Sequence, residues 1–193
     1  MQPRLVLGST SPYRRELLQR LQVRFETAAP QFDETQLAGE APAASAERLA
    51  IGKARSLAAR FPDALIIGAD QVASCDGARF DKPGNHANAV KQLRVLSGKS
   101  AQFDTAVALL DAASGKHECR VVGCRVAFRR LSDATIESYL RKEQPYDCAG
   151  SAKAEGLGIT LVERIETDDP TSLIGLPLIA LTGMLERAGL RVL

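Results

Sequence analysis

Residues 5–18 read LVLGSTSPYRRELL, and this stretch determines the kind of fold to expect. The apolar run at residues 5–7 is typical of a buried strand, and the small polar residues after it are typical of a turn. Pro12 then opens a helical pattern, because proline is tolerated at the first helical position and Ser11 is a suitable N-cap. We therefore expect a strand, a turn and a helix, which is the opening of an α/β fold.

A second apolar run, ALIIGA at residues 64–69, predicts a strand that is buried on both faces. The other predicted elements are strands at 23–28 and 156–162, helices at 43–59, 87–96, 132–141 and 177–188, and an antiparallel hairpin of strands 101–110 and 119–128. Helices alternate with strands in the N-terminal half and a hairpin follows. We therefore predict an α/β fold with a mixed sheet, formed by a single domain over residues 1–193.

Composition and charge exclude several classes of protein. The 193 residues are 45% hydrophobic and 25% charged, which is typical of a globular domain and excludes a disordered chain. A net charge of +2 is too balanced for a general nucleic-acid binder. The sequence has no apolar run long enough to cross a membrane, and its four cysteines form no C-x-x-C pair. We expect a cytoplasmic protein with reduced thiols, without a signal peptide, a membrane anchor or a zinc site.

The turn before the first helix is a candidate anion site. Free N–H groups and the helix dipole favour an anion at a helix N-terminus, and the hydroxyl of Ser9 and the side chain of Arg14 would strengthen it. Arg14 and Arg15 point about 100° apart on a helix, so they cannot both face one ligand. A capped helix with solvated arginines explains the same residues equally well.

Lys53 interrupts the apolar stripe of the helix predicted at 43–59. It lies four positions after Leu49 and three after Ala50, so its side chain belongs to the same face as theirs. Either its stem passes along the edge of the core to solvent, or a cleft holds its ammonium against an anion. The sequence favours neither interpretation.

Carboxylates stand directly after the buried strand, at Asp70, and earlier in the chain, at Glu34. Ligands of open α/β sheets bind outside the carboxyl ends of strands, so Asp70 is well placed for a metal or a water, although it could equally cap a turn. Mg²⁺ takes one or two carboxylates together with phosphate oxygens. Together with Lys53, Lys82 and an arginine, these two carboxylates would form a site that suits a metal-bound triphosphate.

Several sequence blocks in one order resemble the Maf nucleotide pyrophosphatases along essentially the whole chain. The blocks are LGSTSPYRRELL (7–18), FDET (32–35), the helix with Lys53, IIGADQV (66–72), DKP (81–83), YDCAGSAKAEG (146–156) and LIGLPL (173–178). The resemblance implies hydrolysis of nucleoside triphosphates between the α and β phosphates, assisted by a divalent cation such as Mg²⁺, Mn²⁺ or Co²⁺. It also implies a long mixed twisted sheet flanked by helices, as in inosine triphosphatases, with two lobes around an active-site cleft.

The resemblance also implies roles for particular residues. Asp70 would accept a proton from the attacking water or bind the metal, and these two roles remain open. Glu34 would help to bind the metal. The residues that would hold the triphosphate and stabilise the leaving pyrophosphate are Ser9, Arg14, Lys53 and Lys82.

The positions that determine substrate choice within the family correspond here to Tyr13, Gln71 and Glu155. An aromatic residue, a glutamine and a glutamate resemble the subgroup that acts on 7-methyl-GTP, although tryptophan is expected where this chain has Tyr13. The positive charge on a 7-methylguanine ring suits an aromatic face and a carboxylate. The alternatives are a dTTP or UTP pyrophosphatase, an enzyme for another modified nucleotide, and a regulator of cell division that binds a nucleotide without hydrolysing it. The resemblance further suggests a homodimer.

Overall fold

The computed structural model describes residues 3–193. This part of the chain contains five α-helices and seven strands. The strands are β1 (Arg4–Gly8), β2 (Glu26–Ala28), β3 (Ala64–Cys75), β4 (Ala78–Phe80), β5 (Ser100–Asp111), β6 (His117–Phe128) and β7 (Val162–Thr167). The helices are α1 (Pro12–Gln19), α2 (Pro42–Arg55), α3 (His86–Leu96), α4 (Asp133–Glu143) and α5 (Leu178–Arg187), and two short 3₁₀ helices span Ala149–Ser151 and Leu157–Leu161. Within residues 3–193, the helices are too short or too polar to cross a bilayer.

The strands form one mixed sheet in the order β2-β1-β3-β5-β6-β7, with β4 paired to the end of β3. β1 is parallel to both β2 and β3, whereas β4 is antiparallel to β3 and β7 is antiparallel to β6. Only five residues separate β5 from β6, a connection that allows an antiparallel pair but not a parallel crossover. The predicted α/β fold with a mixed sheet flanked by helices is confirmed.

The chain divides into two compact units, of which unit 1 comprises residues 3–71, 105–122 and 169–193. Alternate residues of its strands point to opposite faces, so Leu5 and Leu7 join one apolar cluster while Val6 joins another. Helices α1 and α5 cover the first cluster, and the end of α2 covers the second.

Unit 2 comprises residues 72–104 and 123–168. Helix α3 packs against α4 and against the 3₁₀ helix Ala149–Ser151, and α4 contacts the 3₁₀ helix Leu157–Leu161. Leu93, Ile136 and Leu140 are fully buried in this unit. The expectation of a single domain over residues 1–193 remains a prediction.

Three predicted strands and one predicted helix differ from the structure by three residues or more. The strand predicted at 23–28 covers only Glu26–Ala28, and the helix predicted at 43–59 ends at Arg55. The run at 156–162 was expected to be the last strand, but residues Leu157–Leu161 form a 3₁₀ helix and the strand begins at Val162. Gly156 and Gly158 favour a turn there, and the true strand is hard to recognise because four of its six side chains are exposed and mostly charged. The strand at 64–69 continues to Cys75, so Asp70 lies within β3 and does not end it.

The backbones of α2 and β3 meet at Gly68. A Cβ atom on Gly68 would lie closer to the carbonyl oxygen of Ala50 than real Cβ atoms approach, and 2.8 Å from the backbone nitrogen of Ala54. These obstacles are backbone atoms and cannot rotate away. Glycine at position 68 therefore allows α2 and β3 to approach this closely.

We predict that Gly68→Ala lowers the free energy of unfolding by about 1–3 kcal/mol, because the added methyl group must push α2 away from β3. Urea denaturation followed by circular dichroism measures the change. Gly123→Ala is a matched control, since its Cβ would meet only the movable ends of two side chains, Gln102 at 2.8 Å and Asp104 at 3.7 Å. Equal stability of the two variants would contradict the proposed contact.

Candidate active site

Lys53 lies at the centre of a buried charge cluster in unit 1. Its Nζ atom is 2.6 Å from Oδ1 of Asp70 and 2.7 Å from Oε2 of Glu34. The side chains of Lys53 and Asp70 are only 8% and 11% exposed. A buried ammonium is tolerated only when it is paired, and here two carboxylates pair with it. The ammonium is therefore itself buried and paired with carboxylates, and it does not reach past the core to open solvent.

The alternation of β3 explains why Asp70 meets Lys53. Ile66 packs in the apolar cluster on the α2 side, and Gly68 touches the α2 backbone, so Asp70 points to the same face two residues later. Gly8, the last residue of β1, pairs with Gly68 in the parallel register. Asp70 consequently lies just beyond the carboxyl end of the neighbouring strand β1, although its own strand continues.

Glu34 reaches Lys53 from the segment between β2 and α2, which has no regular secondary structure. Two contacts with α2 hold this segment. The ring of Phe32 occupies the space that a side chain at Gly52 would need. Arg48 donates two hydrogen bonds to the carboxylate of Glu40, at 2.6 and 2.8 Å.

Glu34 and Asp70 differ in their exposure to solvent. The side chain of Glu34 is 56% exposed, so its ion pair with Lys53 is more accessible to water than the Asp70 pair. Sequence analysis missed Phe32 and Arg48. The only sequence signal was an arginine on α2 close to an acidic loop.

The first turn of α1 is built as predicted from Ser11 and Pro12. The Ser11 side chain accepts a hydrogen bond from the backbone N–H of Arg14, and Pro12 is the first helical residue. Ser9 is buried, and its Oγ atom accepts the backbone N–H of Ser11 at 3.1 Å. Beside this turn is a cavity of about 410 Å³, lined by Ser9, Thr10, Ser11, Pro12, Arg15, Glu16, Gln19, Thr27, Ala28 and Ala29.

Arg14 points into unit 1, whereas Arg15 is exposed. The Nε atom of Arg14 donates to the carbonyl oxygen of Gly175 at 2.9 Å. Burial lowers the pKa of Arg14 from its usual value, and the nearby carboxylates of Asp70 and Glu34 act in the opposite direction. A guanidinium remains charged under these conditions, so Arg14 adds a second cation near the Lys53 cluster.

Gln71 points to the opposite face of β3 from Asp70. Its Nε2 atom donates to Oγ1 of Thr105 at 2.9 Å and to the carbonyl oxygens of Ser172 and Leu173 at 3.0 and 3.1 Å. The amide nitrogen is therefore committed to the protein. Only its carbonyl oxygen, a hydrogen-bond acceptor, remains available for a ligand.

The remaining predicted site residues, Tyr13, Lys82 and Glu155, come from other segments of the sequence than Glu34, Lys53 and Asp70. Tyr13 is half-buried on α1, in unit 1. Lys82 and Glu155 are exposed residues of unit 2. Lys82 lies in the loop before α3, and Glu155 lies between the two 3₁₀ helices. That these two residues complete the site remains a prediction.

The donor set fits a divalent cation that is shared with a substrate. Within the described chain, no group of three or more histidine, cysteine or acidic side chains could enclose a metal. Glu34 and Asp70, however, place two carboxylate oxygens around one point, which the Lys53 ammonium occupies. Mg²⁺ usually takes one or two protein carboxylates and completes its shell with phosphate oxygens and water.

Comparison with known proteins identifies the family. The family model for Maf-like proteins matches residues 4–188. A 7-methyl-GTP pyrophosphatase of Cupriavidus pinatubonensis is 57% identical over 187 residues, which cover 97% of this chain and 94% of that protein. Another of that name, from Albidiferax ferrireducens, is 55% identical over 193 residues, which cover 100% of this chain and 97% of the relative. The resemblance found in the sequence blocks is confirmed, and the chain belongs to the family of Maf-like proteins.

Proposed function

We propose that this protein is a nucleoside triphosphate pyrophosphatase that hydrolyses 7-methyl-GTP to 7-methyl-GMP and pyrophosphate. One observation carries the proposal: a buried lysine holds two carboxylates together, and the charges of these carboxylates act on a nearby arginine, Arg14. Cations and carboxylates in one place match a polyphosphate, which needs both cationic contacts and a water-activating acid. The names of the relatives support the same reaction.

Asp70 and Glu34 are suited to different tasks in this reaction. Asp70 is buried and fixed, so it would orient the attacking water and accept its proton, or serve as a rigid metal ligand. Glu34 is more exposed, and exposed ion pairs are weak. We infer that an arriving phosphate replaces Glu34 on the Lys53 ammonium, which leaves the Glu34 carboxylate available for a cation.

The cationic groups would hold the triphosphate and stabilise the charge that develops on pyrophosphate. Lys53 and Arg14 would act from unit 1, together with the hydroxyl of Ser9 and the positive end of the α1 dipole. Lys82 is proposed as a further cation. Glu34 and Asp70 would hold Mg²⁺, Mn²⁺ or Co²⁺, and such a cation supplies charge neutralisation and Lewis acidity to a phosphoryl group.

The chemistry of the proposed base site favours guanine with a positive charge. The carbonyl oxygen of Gln71 accepts hydrogen bonds, and the N1–H and N2–H₂ groups of guanine are donors. Methylation at N7 adds a positive charge, which the face of Tyr13 and the carboxylate of Glu155 would attract. We also propose a cytoplasmic location, because the four cysteines Cys75, Cys119, Cys124 and Cys148 are not joined in disulfides.

We predict that Asp70→Asn lowers kcat for 7-methyl-GTP by roughly 10²- to 10⁴-fold, which is the usual contribution of a general base. Pyrophosphate release at saturating substrate and Mg²⁺ measures the change. Asp111→Asn is the matched control, because Asp111 holds only a hairpin turn through Ala113 and Ser114. Turnover by Asp70→Asn at the rate of the unaltered protein would overturn the proposed role.

The same variant separates the two roles of Asp70. If Asp70 mainly binds the metal, raising the Mn²⁺ concentration will restore much of the lost rate to Asp70→Asn. If it mainly accepts a proton, the loss will remain at every metal concentration.

We predict that the unaltered protein prefers 7-methyl-GTP to GTP, UTP, dTTP and ITP in kcat/KM. Glu155→Gln should reduce the preference for 7-methyl-GTP over GTP by roughly 1.5- to 5-fold, because an exposed pair of opposite charges is worth about 0.2–1 kcal/mol. Glu163→Gln, an exposed change on β7, is the control. Faster cleavage of UTP or dTTP would contradict the substrate assignment, and triphosphate binding without any cleavage would favour the nucleotide-binding regulator.

A further inference from the structure

The segment from Asp169 to Pro177 supplies backbone acceptors to two residues of the proposed site. The carbonyl oxygens of Ser172 and Leu173 accept from the Gln71 amide, and that of Gly175 accepts from Arg14. All these residues belong to unit 1. The positions of Arg14 and Gln71 therefore depend on how this one loop is held.

A buried carboxylate ties the loop to α5, in addition to the hydrogen bond that the hydroxyl of Thr105 donates to the carbonyl oxygen of Ser172 at 2.9 Å. Asp169 is 2% exposed. Its Oδ1 atom accepts the backbone N–H of Thr171 at 3.1 Å and the hydroxyl of the same residue at 2.7 Å. Its Oδ2 atom accepts the backbone N–H groups of Ile179 and Ala180, at 2.8 and 3.4 Å.

These hydrogen bonds replace a helix cap that α5 lacks. Pro177 is the N-cap residue of α5, and its side chain makes no capping hydrogen bond. The N–H groups at the start of a helix need acceptors from elsewhere. Oγ1 of Thr171 accepts from Leu178 at 2.8 Å, and Asp169 accepts from the next two residues. The negative charge of Asp169 also suits the positive end of the helix dipole.

We infer that Asp169 is a positioning residue, which fixes Arg14 and Gln71 through the loop between it and α5. Asp169 ties the start of the loop to the first turn of α5. In this position the loop carbonyl groups accept hydrogen bonds from the side chains of Gln71 and Arg14. Asp169 acts through other residues and touches no substrate itself. The inference rests on the proposed function only where it concerns activity, because the hold on Gln71 can be measured without a substrate.

The test uses Asp169→Asn, which preserves the shape of the side chain. An amide has one acceptor oxygen, so its NH₂ group must face N–H donors either at Thr171 or at the start of α5. Thr171→Val is a second variant, which removes the hydroxyl that links Asp169 to Leu178. Met184→Ala is the control for general destabilisation, because Met184 is buried in α5 but contributes only to the apolar core.

The first measurement is the ¹H–¹⁵N NMR signal of the Gln71 side-chain amide, assigned by its disappearance in Gln71→Leu. In the unaltered protein and in Met184→Ala, we expect slow hydrogen exchange at this amide, because three acceptors hold its nitrogen. In Asp169→Asn and Thr171→Val, we expect the exchange to become fast. Slow exchange in both folded variants would overturn the inference, whatever the enzyme activity of the protein.

The second measurement is kcat/KM for 7-methyl-GTP and for UTP. We expect Asp169→Asn to lower kcat/KM for 7-methyl-GTP by roughly 10- to 100-fold, as small misplacements of binding groups do, and to reduce the preference over UTP. Met184→Ala should keep that preference. An unaltered protein that cleaves neither nucleotide would contradict the proposed function alone, whereas an active protein whose Asp169→Asn variant keeps its rate and preference would contradict the positioning role.

Discussion

The direct contact between the backbones of α2 and β3 at Gly68 is the constraint on which the candidate site depends. A side chain at position 68 would meet backbone atoms of α2, so only glycine allows the helix to lie this close to the strand. Lys53 comes from that helix and Asp70 from that strand, two residues beyond the contact. The 2.6 Å ion pair between them is therefore a consequence of backbone packing and not only of the attraction of two charges.

The charge cluster is also asymmetric in a way that suits catalysis. Separating a buried ion pair leaves an uncompensated charge in the protein interior, so the partnership of Lys53 with Asp70 is firm. The partnership with Glu34 depends on the segment between β2 and α2, which is attached to α2 through Phe32 and Arg48. Asp70 is thus held firmly, whereas the more exposed Glu34 is the carboxylate that we propose to change its partner when a phosphate binds.

Local patterns in the sequence predicted much of the fold, and three of the residues that the sequence singled out, Glu34, Lys53 and Asp70, meet in the structure. Ser11 and Pro12 marked the start of α1, because capping depends on residues adjacent in the chain. The predicted strand at 64–69 was too short, since a charge ended the pattern, whereas in the structure Lys53 compensates the charge of Asp70 and β3 continues. Asp169 gave no signal, because the N–H groups that it caps lie ten and eleven residues further along the chain.

The order in which the chain passes through its two units also limits when unit 1 can fold during synthesis. Unit 1 begins near the N-terminus, but α5 supplies Leu181, Met184 and Leu185 to the same apolar cluster as Leu5 and Leu7. A ribosome makes these core residues long after β1, so unit 1 cannot close until α5 has been synthesised. Until then the apolar cluster around Leu5 and Leu7 lacks the side chains that α5 supplies, and apolar surface left exposed in this way makes an incompletely folded chain prone to aggregation.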